Sequence, residues 1–213
     1  MSAHSVPLFP MFVKLDGRRC LVVGGGPIAE SKIESLLAAG ARVTVVSPAL
    51  TEKLERLHRQ GAFDWHARRF EGTDLQKAFL VVAATSDDAT NDAVYREADR
   101  TGILCNAVDQ PPRCHFYFPA VVRRGDLQIA ISTGGRSPSL ARRLRQELEK
   151  QFGPEYEAWL CHLGKMRREI LQKKLLPAER QKALADLSTR KAFERFRKGL
   201  AKQTDSSKKR HME

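Results

Sequence analysis

Arg19-Cys20-Leu21-Val22-Val23-Gly24-Gly25-Gly26-Pro27-Ile28-Ala29 passes in eleven residues from a short apolar run, through a glycine bend, into a segment with helical spacing. The apolar run reads as a buried strand. Beyond the bend, Ile28, Ala29, Ile33, Leu36 and Leu37 share one helical stripe, and Gly40 stops it. Arg42-Val43-Thr44-Val45-Val46 then gives a second, β-branched strand that breaks at Ser47-Pro48. Strand, helix and strand in so short a span fit a right-handed parallel crossover.

Working outward, the alternation continues. The spacing predicts a charged helix over Thr51 to Gln60, an edge strand over Phe63 to Ala67 and a strand buried on both faces over Phe79 to Ala84. A helix over Asp87 to Arg100 and a strand over Ile103 to Val108 follow, closed by Asp109-Gln110-Pro111-Pro112. Strands alternating with helices mean an α/β class protein with a Rossmann-type, doubly wound parallel sheet over residues 1–112. After Pro112 the pattern changes. Phe116 to Val122 and Leu127 to Ser132 read as a hairpin around Arg123-Arg124-Gly125-Asp126, and Ser137-Pro138 supplies an N-cap and first-turn proline for a helix over Leu140 to Lys150. Residues 113–147 form this small hairpin-plus-helix segment, residues 148–202 a helical domain broken near Gly153-Pro154 and Pro177, and the polar residues 203–213 a tail expected to be disordered.

Gly24-Gly25-Gly26-Pro27-Ile28-Ala29 fits G-x-G-x-x-G/A. Gly24 permits the turn off the strand, Gly26 lets a pyrophosphate reach the backbone, and Ala29 lets the helix lie close on the sheet. The first helical amides and the helix dipole then favour the phosphates' negative charge. The motif follows a strand and opens a helix, and that context makes it specific. Ser47-Pro48-Ala49 stands at the end of the second strand, where a dinucleotide site ordinarily carries Asp or Glu for the ribose. Arg42, at the start of that strand, is too far back to clamp a 2′-phosphate, so NAD is expected rather than NADP. Thr85 and Asn106, at the ends of two further strands, join the expected coenzyme contacts.

The formal net charge is +12, with Lys and Arg 37 against Asp and Glu 25. From Leu148 on, 17 basic residues face 9 acidic ones. Such an excess suits an anionic partner, and a polycarboxylate ligand explains it as well as nucleic acid does. No helix-turn-helix pattern or aromatic-interleaved basic strand supports nucleic acid. No long apolar run suits a membrane span, and Met1 to Pro10 lacks the basic-then-apolar order of a secretory leader. The cysteines at 20, 105, 114 and 161 form no Cys-x-x-Cys pair, which points to reduced thiols and a cytoplasmic setting.

Tyrosine-lysine hydride chemistry is excluded by inspection. Four residues after Tyr95, Tyr117 and Tyr156 stand Asp99, Val121 and Leu160, none a lysine. What remains at strand ends is Thr85-Ser86-Asp87-Asp88 and Asn106 with Asp109, followed by His115. A carboxylate held there by two prolines could take a proton or help to ligate a metal.

Five ordered motifs extend this reading. Val22-Val23-Gly24-Gly25-Gly26-x-x-Ala29-x-x-Lys32, Ala83-Ala84-Thr85-x-Asp87 with Asn91, Cys105-Asn106-x-Val108-Asp109, Phe116-x-x-Pro119-Ala120, and Ile131-Ser132-Thr133-Gly134-Gly135-x-Ser137-Pro138-x-Leu140-Ala141-Arg142 together resemble the precorrin-2 dehydrogenase and sirohydrochlorin ferrochelatase family, including the N-terminal module of siroheme synthase. The resemblance implies NAD-dependent oxidation of precorrin-2 to sirohydrochlorin in sirohaem biosynthesis, and a homodimer built by the hairpin segment. It implies Asp109 as the proton acceptor, Pro27, Ile28, Pro48 and Ala49 against NAD, and Ser132-Thr133 at the active cleft, where some members have two serines. Arg136 and Arg142 are further expected substrate contacts, since a guanidinium fork suits carboxylates, and His115, following Asp109, is another. Asp109, Cys114 and His115 are the only metal-capable side chains near one loop, so iron insertion is left open and no metal ligand is assigned. A non-catalytic NAD-sensing module would keep the glycine bend but has no use for the motifs from Asn106 to Arg142.

Overall fold

The structure, a computed structural model, describes residues 7–210, with side chains as far as residue 200. Met1–Pro10, expected to lack a leader, and the expected tail 203–213 therefore fall partly outside the described residues. The chain divides into two units, Met1–Phe118 and Pro119–Glu213.

The first unit holds five parallel strands, β1 (Arg19–Val23), β2 (Arg42–Val46), β3 (Asp64–His66), β4 (Leu80–Ala83) and β5 (Leu104–Ala107), in the order β3-β2-β1-β4-β5. This is the doubly wound order, in which the strand sequence reverses beside β1. Helices α1 (Pro27–Ala38), α2 (Glu52–Arg59) and α3 (Asp88–Thr101) are the crossovers. Alternate residues of each strand feed two apolar layers. Cys20, Val22, Val43, Val45, Leu80 and Val82 pack with Ala29, Ile33 and Leu36 of α1 and Leu54 of α2. Leu21, Val23, Val46, Val81, Ala83, Cys105 and Ala107 pack with Val94 and Ala98 of α3. β4 is buried at all four positions, as expected of a strand covered on both faces. Ala29 and Ile33 are fully buried; burying an isoleucine side chain contributes roughly 1.5–3 kcal/mol, which is what holds α1 on the sheet.

In the second unit β6 (Ala120–Arg124) and β7 (Leu127–Ile131) form an antiparallel hairpin. The expected first strand began at Phe116; it begins instead at Ala120, after Pro119, which has no N–H for a ladder. Phe116 and Phe118 pack against the first unit's core. Helix α4 (Pro138–Gln151) starts as expected, with Ser137 Oγ accepting from Leu140 N at 3.2 Å and proline in the first turn. Its far end is tied to β6, because Arg124 donates to Phe152 O (2.8 Å) and Glu149 O (3.1 Å). Helices α5 (Glu155–Gln172), α6 (Pro177–Leu187) and α7 (Arg190–Arg210) follow. Hairpin and helices thus share one unit rather than dividing at residue 147, and α7 carries helical backbone through residues 203–210 of the expected disordered tail.

Candidate functional site

A cleft of about 530 Å³ opens at the carboxyl edge of the first unit's sheet, where the β1–α1 bend, the end of β2 and the β4–α3 loop converge. Gly24, Gly25, Gly26, Pro27 and Ile28 form its floor, Ser47 and Pro48 one wall, and Thr85, Ser86, Asp87 and Thr90 the other. Gly24 has φ +124°, and a β-carbon there would overlap the carbonyl of Ala84. Gly25 has Ala49 O packed against it. Gly26 differs. As the N-cap of α1 it has an ordinary φ of −86°, and a β-carbon there would meet nothing within 4 Å. The chain packs tightly under two of the glycines and leaves open space above the third.

The backbone fits a diphosphate at that space. Ala29 N and Glu30 N donate to Gly26 O (3.0 and 3.3 Å), Gly24 N to Val46 O (2.9 Å), and Gly25 O accepts from Thr51 N (3.0 Å). Among the described residues the amides of Gly26 and Ile28 make no hydrogen bond, and Pro27 has no amide hydrogen to offer. These two donors at the positive end of α1 suit an anion. The first-turn carboxylate, Glu30, is engaged by Thr51 Oγ1 (2.6 Å).

The two walls are self-braced. Ser47 is buried, donates Oγ–H to Ala49 O (2.7 Å), and its own carbonyl accepts from Trp65 Nε1 (2.9 Å). Opposite, the buried Asn91 amide is latched to Thr85: Thr85 Oγ1 donates to Asn91 Oδ1 (2.9 Å) and Asn91 Nδ2 donates to Thr85 O (3.1 Å). Asp87 caps α3, accepting from Thr90 Oγ1 (2.5 Å) and Ala89 N (3.3 Å). The Thr90 hydroxyl, above all, holds the Asp87 carboxyl below its usual range.

Most expected coenzyme residues line this cleft. Ala49 and Ala29 stand just outside it, the first as a carbonyl beneath the bend, the second as the contact of α1 with the sheet. Asn106 is not among the residues that line it: it is buried one strand away, and its amide donates to Phe116 O (2.8 Å) and Cys114 Sγ (3.4 Å), so that it pins the loop after β5. His115, expected as a substrate contact, is engaged within the fold: its Nδ1 accepts from Cys105 N (3.1 Å) and its Nε2 donates to Asp99 Oδ1 (3.2 Å), so both ring nitrogens join β5 to α3.

Asp109 lies just past β5 on the same carboxyl edge, exposed, with φ +61°. Aspartate tolerates this left-handed conformation better than most residues. Gln110 N closes the turn onto Ala107 O (3.1 Å), and Pro111–Arg113 forms a 3-10 turn behind it. Lys32, one turn into α1, senses the Asp109 charge. Burial lowers the Lys32 ammonium pKa, and the nearby carboxylate opposes that fall. Among the described residues no group of three or more His, Cys, Asp or Glu side chains is placed to hold a metal ion.

In the second unit, Thr133 Oγ1 accepts from Ser137 N (3.2 Å) and donates to Ser137 O (3.1 Å), and Ser132 Oγ accepts from Gly134 N (3.2 Å). The loop between β7 and α4 is therefore held by its own hydroxyls, with Arg136 and Arg142 exposed around it. The cleft also contains Arg69 and Phe70, which the sequence reading did not single out. They follow β3 on the carboxyl edge, and that position is the signal that could have found them.

Comparison with known proteins agrees with this geometry. The family described as "Putative NAD(P)-binding" matches residues 11–120, and "Sirohaem biosynthesis protein central" matches residues 124–151. Siroheme synthase 1 of Aeromonas salmonicida (strain A449) is 44% identical over 161 residues, covering 76% of this chain and 34% of the relative. The siroheme synthase of Actinobacillus pleuropneumoniae serotype 3 (strain JL03) is 39% identical over 187 residues, covering 88% and 38%. The chain thus spans little more than a third of the relatives it matches. A solved structure titled "SirC, precorrin-2 dehydrogenase" superposes with a TM-score of 0.77 at 28% identity, over 87% of this chain and 92% of that one. With its sirohaem-biosynthesis segment following directly on, the chain belongs to the putative NAD(P)-binding family, and it is similar to siroheme synthases over about a third of their length and to the solved precorrin-2 dehydrogenase over most of its own.

Proposed function

We propose that this chain oxidises precorrin-2 to sirohydrochlorin with NAD⁺. The observation that carries the reading is the open space above Gly26, flanked by two uncommitted amides, with the Asp109 carboxylate on the same sheet edge beyond β5. The likeness to SirC supports the choice of substrate. Bound NAD⁺ supplies a hydride acceptor. The chain's own part is to hold the diphosphate on α1, to seat the ribose beside Ser47 and Pro48, and to take the substrate proton on a carboxylate oxygen of Asp109. The left-handed backbone at Asp109 and the proline turn behind it fix where that carboxylate stands.

Arg136 and Arg142 are offered as carboxylate-binding side chains of the second unit, with Ser132 and Thr133 shaping their loop. Among the described residues the hairpin's two outer edges are unpaired, which supports a homodimer formed through this segment. Four free cysteines, two of them buried, support a cytoplasmic setting. Among the described residues no helix is long and apolar enough to cross a membrane.

The test is NADH appearance when precorrin-2 is added anaerobically to protein shown to bind NAD⁺. Steady formation of NADH with stoichiometric sirohydrochlorin supports the reading. A flat trace from folded, NAD⁺-bound protein overturns it in favour of a sensing module.

A further inference from the structure

We infer that Arg69 is a coenzyme-specificity residue, and that it lets the cleft accept NADP⁺ alongside NAD⁺ by receiving the 2′-phosphate. The inference rests on the dinucleotide reading above and goes beyond its choice of coenzyme.

The first argument is position. β3 pairs with β2 in a register that sets His66 beside Val46. His66 O accepts from Ser47 N (3.2 Å) and from Arg68 N (2.8 Å), so the start of the Arg68–Arg69 loop is pinned to the backbone at the end of β2. That end is where a dinucleotide's adenosine ribose lies in a sheet of this order. Arg69 and Phe70 then line the same cleft as Ser47 and Pro48.

The second argument is commitment. The neighbouring Arg68 is spent: its guanidinium grips Asp74 at both oxygens, 2.6 and 2.9 Å away. Arg69 is exposed, and among the described residues its guanidinium makes no hydrogen bond or ion pair. Its charge is felt at Asp87, whose carboxylate is already held by Thr90 and the first turn of α3. Arg69 therefore faces the cleft with its donors available.

The third argument concerns what is absent from the strand end. Sites that reject NADP place a carboxylate where it binds the ribose hydroxyls and repels a 2′-phosphate. Here Ser47-Pro48-Ala49 occupies that place, and the Ser47 hydroxyl hydrogen already goes to Ala49 O. No carboxylate stands at the end of β2 to repel a dianion; Asp87 lies on the opposite wall of the cleft, and the cation on the loop adjacent to β2 attracts one. A guanidinium on phosphate forms a charge-assisted, two-pronged contact.

The test titrates the full chain with NAD⁺ and with NADP⁺, following tryptophan fluorescence and calorimetry, in wild type, Arg69→Gln and Arg68→Gln. The expected result is NADP⁺ affinity within about tenfold of NAD⁺ in wild type. Arg69→Gln should weaken NADP⁺ by about tenfold or more and NAD⁺ by less than about threefold, the spread between a charged and a neutral partner. Arg68→Gln should leave the ratio of the two affinities unchanged. If NAD⁺ binds and NADP⁺ does not, or if Arg69→Gln weakens both equally, the inference is overturned while the dehydrogenase reading stands. If neither coenzyme binds folded protein, both fall.

Discussion

The carbonyl oxygen of Ala49 lies against the α-carbon of Gly25, leaving no room for a side chain between the loop after β2 and the bend after β1. The two loops that would hold the coenzyme's ribose and diphosphate are thus packed on each other before any ligand arrives.

That packing separates the glycines by experiment. Gly25→Ala must push Ala49 away, and overpacking of this kind costs about 1–3 kcal/mol. Its melting temperature should fall measurably in differential scanning calorimetry. Gly26→Ala places its methyl group in the cleft at an ordinary φ, so stability should hold while NAD⁺ affinity drops by about tenfold or more, the factor that about 1.4 kcal/mol of lost contact gives. Equal melting losses for both variants would contradict the assignment of the space above Gly26 to a ligand.

Asp109 should act through its charge rather than its backbone. Asparagine keeps both the size and the tolerance for a left-handed φ. Asp109→Asn should therefore fold normally and bind NAD⁺ as before, yet slow precorrin-2 oxidation by about a hundredfold or more, the range for losing a general base. Single-turnover NADH formation measures this; an unimpaired rate removes Asp109 from proton transfer.

His115 should behave as a structural residue. Its removal strands the buried Cys105 amide and loosens β5 from α3, a loss of about 1–3 kcal/mol. His115→Ala should lower the denaturation midpoint and leave the KM for precorrin-2 within about twofold, well inside the loss expected of a charged substrate contact. A raised KM with unchanged stability would return His115 to the substrate site.

The acid limb of stability should involve Asp74, Asp87, Asp88 and Glu97. At Asp74 burial opposes ionisation, but the Arg68 fork and the Glu71 amide together outweigh it, and the carboxyl is held below its usual range. Hydrogen bonds from Thr90, Arg113 and Arg100 lower Asp87, Asp88 and Glu97. A depressed folded-state pKa gives stability that is present above the unfolded value, near 4, and is lost as pH falls through the folded value. Melting temperature should thus hold steady down to about pH 5 and then drop. Asp74→Asn should flatten that drop.

The sheet was legible because burial on both faces writes continuous apolar runs, as in Leu80–Ala83, and because a glycine bend between strand and helix has few other uses. Side-chain direction was not legible. Asn106 and His115 stand in motif positions at a strand end, yet their hydrogen bonds run to Phe116 O, Cys105 N and Asp99, partners that only the folded loop after β5 brings within reach. Arg69 escaped notice for the opposite reason: it follows a three-residue edge strand with no pattern of its own, and its relevance comes from the His66 carbonyl that ties that loop to Ser47. The hairpin start moved from Phe116 to Ala120 because an aromatic run reads equally well as a strand or as a core plug, and Pro119 decides between them.

The four thiols differ sharply in depth. Burial pushes Cys20 up to about 11 and Cys105 up to about 12, and it raises Cys114 as well, while Cys161 stands exposed on α5. Because alkylating reagents attack the thiolate, a maleimide dye at neutral pH will find Cys161 first. The native chain therefore carries its own single-point handle for a fluorophore or spin label, set on the helical unit and not among the residues proposed to touch NAD⁺.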